Sequence, residues 1–242
     1  LSESLDSVGV LAADVAGCAV LDDLMAGGKG SVPTQRPIST LNLAVLDHYV
    51  IEGMDDHVAR CFDRALKTLS GSGARLTGIR LPSIEQLPEL NAGGGIAAAE
   101  AYAFHEDQLA AMGAGYDPRV ASRISAGARI GAAELARIHA ARRQMIGEFE
   151  AALSGFDALL APTVPIVAPP ISAFEKDEDY IRLNLLLLRN PSLFNFLDGC
   201  ALSLPVHPDG TAPVGLMAAA PAGRDRSLLA TSLGLEAVFR KK

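Results

Sequence analysis

The 242-residue sequence contains no long apolar run: its apolar runs, such as 185–188, fall far short of the roughly 20 residues that a membrane-spanning helix needs. Clusters of basic residues are also scarce. Basic side chains stand next to one another only at 142–143 and at the carboxyl terminus, in a chain with a net charge of −7. Because the phosphates of nucleic acids are met by clustered Lys and Arg, the sequence predicts neither a nucleic acid nor a membrane as a partner.

Only three cysteines occur, Cys18, Cys61 and Cys200, and no two of them form a Cys-x-x-Cys pair. This pattern predicts neither a disulfide framework nor a structural zinc site. We expect each cysteine to be a small buried apolar residue in a reduced, cytoplasmic compartment. The sequence does not begin with Met, and no basic segment followed by an apolar one predicts a signal peptide. It begins at Leu1 inside a patterned segment, so we expect a cut there rather than a natural start.

Three catalytic patterns are missing as well. The five histidines show no paired helical spacing around a carboxylate; His105 with Glu106 and Asp107 comes nearest, but no second His lies four residues on. No Gly-x-Ser-x-Gly elbow occurs. The Gly-Lys-Gly-Ser of 28–31 follows a predicted helix, so it aims no helix N-terminus at a phosphate. The residues alone therefore imply no metal and no cofactor, and they leave the function unresolved.

What is present is the composition of a globular α/β protein, with 49% apolar and 20% charged residues. An alternating apolar segment at 41–46 predicts a strand, and an amphipathic helix follows it, with Asp55 or Asp56 as its cap. A second strand is predicted at 74–81. Two strands joined by a helix make a βαβ unit over 41–81, in which the strands are parallel.

The rest of the sequence divides into a helical and a mixed segment. Residues 96–153 form a helical subregion, and residues 158–239 carry the closing strands and the last helix. Within the second segment the spacing predicts one helix at 179–188 and a separate one around 193–197. The other strands and helices with clear end signals are predicted at 158–161, 201–204, 214–218, 15–25 and 225–239.

Three blocks of sequence resemble the amidase signature family. The opening Leu-Ser-Glu-Ser-Leu-Asp-Ser-Val-Gly-Val-Leu of 1–11 is similar to the segment that follows that family's catalytic serine. Leu-Leu-Ala-Pro-Thr-Val-Pro of 159–165 resembles the family's strand and proline loop beside its pocket. Phe-Asn-Phe-Leu-Asp-Gly-Cys-Ala-Leu-Ser-Leu-Pro of 194–205 is similar to its closing strands. The chain is thereby identified as a member of this family.

The resemblance implies an α/β fold: part of a mixed, largely parallel sheet covered by helices on both faces, with 1–242 as the carboxy-terminal portion of one domain. It also implies a hydrolase that cleaves carbon–nitrogen amide bonds through a Ser–cis-Ser–Lys triad. The family's Gly/Ser-rich signature and its lysine lie upstream of the point where this sequence begins. We therefore expect no catalytic residue within 1–242, a small-molecule amide as substrate and no cofactor.

Three residues are candidates for the wall of the substrate pocket. Arg123 matches a position where some members of the family hold a substrate carboxylate, which a guanidinium fork suits; the alternative is a surface helix arginine. Thr163 lies on the proline loop and either contacts substrate or satisfies a loop backbone group. Asn195, like Arg189, is flanked by apolar helix positions, which favour structural hydrogen bonding over substrate contact. Gly93–Gly95 either leave room for a bulky substrate or form a turn.

Two other functions stay open at this point. The chain could be a non-catalytic scaffold or regulatory subunit that kept the amidase body, or a small-molecule binding module built around Arg123. In every case part of a sheet leaves unpaired strand edges and an apolar surface, which favour association. We therefore expect an amino-terminal half, lost or carried on a companion chain, or a dimer formed across the exposed edge.

Overall fold

One mixed sheet organises the protein, whose computed structural model describes residues 2–112 and 115–240. Its strands in the described ranges are β1 (Asn42–Leu46), β2 (Arg75–Ile79), β3 (Ala158–Pro162), β4 (Cys200–Pro205) and β5 (Gly215–Ala220). They lie in the order β2-β1-β3-β5-β4. β1 is parallel to both β2 and β3, whereas β5 is antiparallel to both β3 and β4. The predicted mixed α/β fold is confirmed.

Helices surround this sheet. In the described residues they are α1 (Val15–Met25), α2 (Asp56–Gly71), α3 (Leu87–Leu90), α4 (Gly95–Met112), α5 (Pro118–Ser125), α6 (Ala132–Ala152), α7 (Asp177–Phe196) and α8 (Asp225–Phe239). Side-chain caps begin two of them: the Asp14 carboxylate accepts from the Gly17 N–H before α1, and the Asp55 carboxylate accepts from the Val58 N–H before α2. None of these helices combines the length and the apolar composition needed to cross a bilayer.

Successive residues of each strand point to opposite faces of the sheet, which places an apolar core on each face. Leu43 belongs to the buried cluster that side chains of α1, α2 and α8 complete. Its neighbour Ala44 belongs to the cluster that α6 and α7 complete. In β3, Leu160 belongs to the first of these clusters and Leu159 to the second. Helices therefore lie on both faces of the sheet.

The prediction of two separate helices at 179–188 and around 193–197 is wrong. The structure has one helix, α7, which runs through Pro191. A proline inside a helix removes one backbone hydrogen bond but does not always end the helix. Here the helix is retained because apolar side chains on both sides of Pro191, such as Leu183 and Leu193, are buried.

The first residues of the chain are tied to α4 by one carboxylate. Glu100 accepts hydrogen bonds from the Ser2 hydroxyl at 2.6 Å and the Ser4 N–H at 3.0 Å, and also from the Ser4 hydroxyl. Burial raises the pKa of Glu100, but these hydrogen bonds outweigh it, and the net shift of the pKa is downward. The charged carboxylate thus holds the segment before α1 against the helical subregion.

The three cysteines are free thiols, and Cys61 is buried while Cys18 and Cys200 are half-buried. Burial, with a smaller contribution from the charge of Asp225, raises the pKa of Cys200 from 9.0 to about 12. Cys200 therefore keeps its proton in the folded protein at pH values where an exposed thiol loses it.

This shift predicts a loss of stability at alkaline pH. Between the ordinary thiol pKa and the raised pKa of Cys200, the unfolded chain binds fewer protons than the folded one, so the free energy of unfolding falls as the pH rises. We expect urea titrations from pH 8 to 11 to show a steeper fall for the unmodified protein than for Cys200→Ala. Equal pH slopes for the two proteins would contradict the assignment.

Candidate functional site

The carboxyl ends of β1, β2, β3 and β4 lie at the same edge of the sheet, beside the start of β5. We call this edge the carboxyl edge, and it includes the residues that follow β1, β2 and β3. The pairing of Pro162 with Leu216, and of Pro205 with Gly215, places the last two strands there. In open α/β sheets, ligands bind in the crevice outside the carboxyl ends of the parallel strands. The carboxyl edge is therefore the candidate site.

The proline loop of 162–170 is held at the carboxyl edge by Asp55, the residue that caps α2. The Asp55 N–H donates to the Pro165 carbonyl at 3.0 Å, and the Asp55 carboxylate accepts from the Val167 N–H at 2.7 Å. Burial raises the pKa of Asp55, but hydrogen bonds from the N–H groups of Val58 and Val167 outweigh it, so the pKa lies below its usual value. The cap of one helix thus also positions this loop.

A fully buried amide on α7 joins the ends of β1 and β3. The Asn190 side chain donates to the carbonyl oxygens of Val50 and Pro162, both at 2.9 Å, and is 0% exposed. Its own side-chain oxygen accepts from Arg189 Nε at 3.0 Å. Because each bond connects a different loop to the same side chain, Asn190 fixes the separation between the two strand ends.

Arg189 extends this connection to the loop after β1. Its Nη2 donates to the Val50 carbonyl at 3.0 Å, and its guanidinium lies 5.6 Å from the centre of the Tyr49 ring. Tyr49 has a φ of 56°, a left-handed conformation that is uncommon for a residue with a side chain. Burial lowers the pKa of Arg189 and raises the pKa of Tyr49. The loop after β1 is therefore held in an unusual conformation by α7.

Two hydroxyl groups meet at the carboxyl edge across β5. Thr163 Oγ1 lies 2.6 Å from Ser203 Oγ, and the Thr163 N–H donates to the Gly215 carbonyl at 2.9 Å. Ser203 is exposed and Thr163 is half-buried, so both hydroxyls border solvent. Thr163, one of the three predicted wall residues, therefore lies at the carboxyl edge.

The other two predicted wall residues lie elsewhere. Arg123 is exposed on α5, and Asn195 is exposed in the last turn of α7, where its backbone carbonyl accepts from Arg142 Nη2 at 3.3 Å. In the described residues, no hydrogen bond or ion pair joins Arg123, Thr163 and Asn195 to one another. The roles of these three residues in binding stay predictions.

The helix that carries Arg123 is fastened to the start of α7 by Arg119. Its Nε donates to the Asp177 carboxylate at 2.7 Å, its other nitrogens donate to two carbonyl oxygens of the preceding segment, and the guanidinium lies 4.6 Å from the centre of the Tyr180 ring. Arg119 and Arg123 are four residues apart and share a helix face. The contacts of Arg119 thus fix the position of α5, the helix from which the Arg123 side chain projects.

Two cavities border these elements. A groove of about 440 Å³ runs along the outer edge of β4, beside the start of α1 and the end of α8, and Ser203 is among its lining residues. A smaller cavity of about 140 Å³ is lined by Gly93 and Gly95 together with Arg129 and Glu134. Gly93–Gly95 therefore border a cavity as well as forming the turn before α4. In the part of the chain that the structure describes, no group of three or more His, Cys, Asp or Glu side chains could hold a metal ion.

Sequence reasoning did not single out Asn190 or Ser203. A signal for Asn190 was available: it occupies the helix face of Leu183, Leu193 and Leu197, which are all buried, so a polar residue there must be buried too. Ser203 has no comparable signal, because its partner Thr163 is 40 residues away in the sequence.

Comparison with known proteins gives one consistent result. The family model Amidase matches residues 1–229. A 2-amino-5-chloromuconic acid deaminase from Comamonas testosteroni is 27% identical over 242 residues, which cover 99% of this chain and 52% of that protein. A glutamyl-tRNA(Gln) amidotransferase subunit from Geobacter metallireducens is 27% identical, and the match covers 89% of this chain and 51% of that protein.

Solved structures agree. A crystal structure of an amidase has a TM-score of 0.83 and 27% identity, covering 99% of this chain and 54% of that one. A glutamyl-tRNA(Gln) amidotransferase subunit from Thermotoga maritima, at 22% identity and a TM-score of 0.72, shares the fold over 97% of this chain. The chain thus spans about half the length of the curated relatives it matches.

Proposed function

Because this chain belongs to the amidase family, we propose that it supplies the framework and one wall of an active site that hydrolyses a carbon–nitrogen amide bond. The observation that supports this proposal is the match to the family over residues 1–229, in a chain that spans about half of its relatives. The nucleophilic serine, the bridging serine and the lysine come, in this proposal, from polypeptide outside these 242 residues.

The division of labour follows from the chemistry of amide hydrolysis. A serine hydroxyl is a poor nucleophile without an adjacent base, so the neutral lysine takes a proton through the bridging serine and the activated serine attacks the carbonyl. Backbone N–H groups stabilise the oxyanion. The lysine returns its proton through the bridging serine to the departing amine as the C–N bond breaks, and water then releases the acid from the acyl-enzyme and restores the serine. A rigid wall that holds the substrate against the nucleophile lowers the entropic part of this barrier.

The proposed wall is the carboxyl edge together with α5. Thr163 faces the substrate from the proline loop, which Asp55 and Asn190 hold in place. Arg123 offers an exposed guanidinium for a substrate carboxylate. Asn195 is not part of this wall, because the last turn of α7 leads into the start of β4, at the opposite edge of the sheet. The amide substrate is a small molecule in this proposal. Arg123 favours a substrate that carries a carboxylate.

A companion polypeptide has an apolar surface to cover. Ile181, Leu185 and Leu188 are 53%, 62% and 42% exposed, and their spacing of four and three residues places them on one face of α7. β2 and β4 are the outer strands of the sheet, so each has one unpaired edge in the described residues. One relative is named as part of a larger amidotransferase, and another fold neighbour's structure is described as a vestigial protein complex. Association with a companion chain is in keeping with both.

Sedimentation tests this association. We expect the chain by itself to form a dimer, and to form a heterodimer when mixed with the half of the Comamonas testosteroni relative that it does not match. Leu185→Asp should weaken both associations at least about tenfold, because it puts a charge into an apolar interface. Arg182→Asp, three residues away and also exposed, is the matched control and should change neither. A chain that stays monomeric and binds no added half would contradict the proposal.

A further inference from the structure

The outer side of β4 carries backbone groups without a partner. The Val206 N–H donates to the Val214 carbonyl at 2.9 Å, so residue 206 and the alternate residues before it form hydrogen-bonded pairs with β5. The intervening residues, Ala201, Ser203 and Pro205, direct their backbone groups away from β5. In the described residues, no hydrogen bond outside the β4–β5 ladder uses the N–H groups of Ala201 and Ser203. β4 therefore offers donors and acceptors to one more strand.

Pro205 agrees with this alternation. A proline has no N–H, so within a sheet it is confined to positions whose N–H would face away from the neighbouring strand. Pro205 is exposed and lies opposite Gly215, in a pair that is not hydrogen-bonded. Its carbonyl is available, whereas its missing N–H ends the run of donors. The unpaired side of residues 201–205, which we call the β4 edge, is thus limited at Pro205.

The backbone of β4 is ordered at Ser203 before any further strand joins it. The Ser203 hydroxyl lies 2.6 Å from Thr163 Oγ1 across β5, and a Cβ atom at Gly215 would lie 2.3 Å from Ser203 Oγ. Glycine at 215 therefore leaves the space in which the two hydroxyls meet. These contacts use the side chain of Ser203 and leave its outward backbone groups free, so little ordering is needed when a strand binds.

A groove beside the β4 edge can hold an extended segment. It has a volume of about 440 Å³ and is lined by residues 202–205, by the start of α1 and by the end of α8. Leu204 belongs to the apolar cluster on this face of the sheet, and the half-buried Leu202 packs against that cluster. A strand added to β4 would place every second side chain on this face, beside the two leucines. Strand addition would thus pair backbone groups and bury apolar surface together.

Charge distinguishes β4 from the other outer strand. Residues 200–205 contain no charged side chain, whereas β2 begins with the exposed Arg75 and is followed by the exposed Arg80. Natural sheets protect a true edge with charged side chains, which oppose the approach of another strand. β2 therefore has the sequence of a terminal strand, and β4 has the sequence of a strand with a neighbour on each side.

The helices beside the groove argue against a second copy of the chain as that neighbour. An antiparallel pairing of β4 with the β4 of another copy has a twofold axis perpendicular to the sheet. α1 and α8 of both copies would then lie on the same face and meet over the shared edge, where Ala12, Phe239 and Arg240 already line the groove. The groove leaves space for an extended segment and not for a second pair of helices.

We propose that the companion polypeptide joins this chain at the β4 edge by adding one strand, with apolar side chains at alternate positions in the groove. This inference rests on the proposed function and selects β4 from the two open edges of the sheet. The chain spans about half of its relatives, so a polypeptide of similar length is left to supply the strand. A partner of that size can also cover Leu185 on α7.

Hydrogen–deuterium exchange locates the added strand. The chain is transferred to D₂O alone, at a dilution where it is monomeric, and in complex with the half of the Comamonas testosteroni relative that it does not match. Mass spectrometry follows fragments that contain β4 or β2. We expect the Ala201 and Ser203 amides to exchange at least about a hundredfold more slowly in the complex. The Leu76 and Gly78 amides, which face away from β1 on β2, are the matched control and should not slow.

Proline substitution tests the outward N–H of Ser203. Ser203→Pro removes this N–H and puts a methylene group in the path of the added strand, whereas Ser203→Ala loses the same hydroxyl and keeps the N–H. We expect the proline variant to bind the added half at least about tenfold more weakly than the alanine variant. Gly78→Pro makes the corresponding change on β2 and should bind like the unmodified chain.

Three results would overturn the inference. They are equal affinities of the two variants at position 203, unchanged exchange of Ala201 and Ser203 in the complex, and slow exchange of these amides in a homodimer, which would assign the β4 edge to a second copy. The exchange measurement uses the unmodified chain, so it decides the question even where a proline variant does not fold.

These outcomes are separate from the fate of the proposed function. Slow exchange at the β4 edge, in a complex that hydrolyses no amide, would retain the joining strand and reject the amidase role. A complex that hydrolyses an amide while Ala201 and Ser203 exchange freely would do the opposite. The two hypotheses can therefore fail independently.

Discussion

Replacing Asn190 with alanine is expected to lower the free energy of unfolding by about 3 kcal/mol. The Asn190 side chain is completely buried, and it donates to the carbonyl oxygens of Val50 and Pro162 at 2.9 Å each. Alanine keeps the helix and removes both donors. The decrease in the free energy of unfolding therefore measures the hydrogen bonds between α7 and the strand ends, not a change in helix propensity.

The size of the effect follows from what each carbonyl loses. The Val50 carbonyl keeps a second donor, Arg189 Nη2, at 3.0 Å. The Pro162 carbonyl has no such substitute among the hydrogen bonds of the described residues, and a buried polar group without a partner costs about 1 to 3 kcal/mol. The cavity left by the missing amide adds to this cost. Together these contributions give the expected loss of about 3 kcal/mol.

Asn195→Ala is the matched control, because it makes the same chemical change on the same helix at an exposed position. It should alter the free energy of unfolding by less than about 0.5 kcal/mol. Urea denaturation of both variants measures the two values directly. Similar small losses in the two proteins would show that Asn190 does not join the strand ends.

Local signals in the sequence predicted much of the fold. The helix at 15–25 and the helix at 225–239 have the predicted limits, because apolar periodicity marks both and the Asp14 side chain caps the start of the first. The parallel pair β1 and β2 follows from strand, helix and strand succeeding one another. The apolar pattern predicts two helices where the structure has one, α7, because burial of apolar side chains on both sides of Pro191 retains the helix across the proline.

The contacts that build the carboxyl edge could not be predicted in the same way. Asn190 binds carbonyl groups 28 and 140 residues away, and Ser203 meets a hydroxyl 40 residues away. No spacing rule connects positions at such separations; only the sheet order brings them together. A resemblance to a family motif points to Thr163, and the structure adds its partner Ser203 and the space above Gly215.

The largest expected effect concerns catalysis. If the serines and lysine of the triad lie outside these residues, the 242-residue chain should release ammonia from benzamide no faster than buffer does. Combination with the unmatched half of the Comamonas testosteroni relative should raise the rate at least about 10³-fold, a small part of the acceleration that enzymes reach. The added half alone is the control for its own residual activity.

Ammonia release from benzamide, measured for the chain, the added half and their sedimented complex, therefore tests the division of the active site most directly. We expect release by the complex alone. Release by the isolated 242-residue chain would contradict this account, because it would require a nucleophile and a base within residues 1–242. A stable complex that releases no ammonia would contradict the catalytic role and leave the chain as a scaffold.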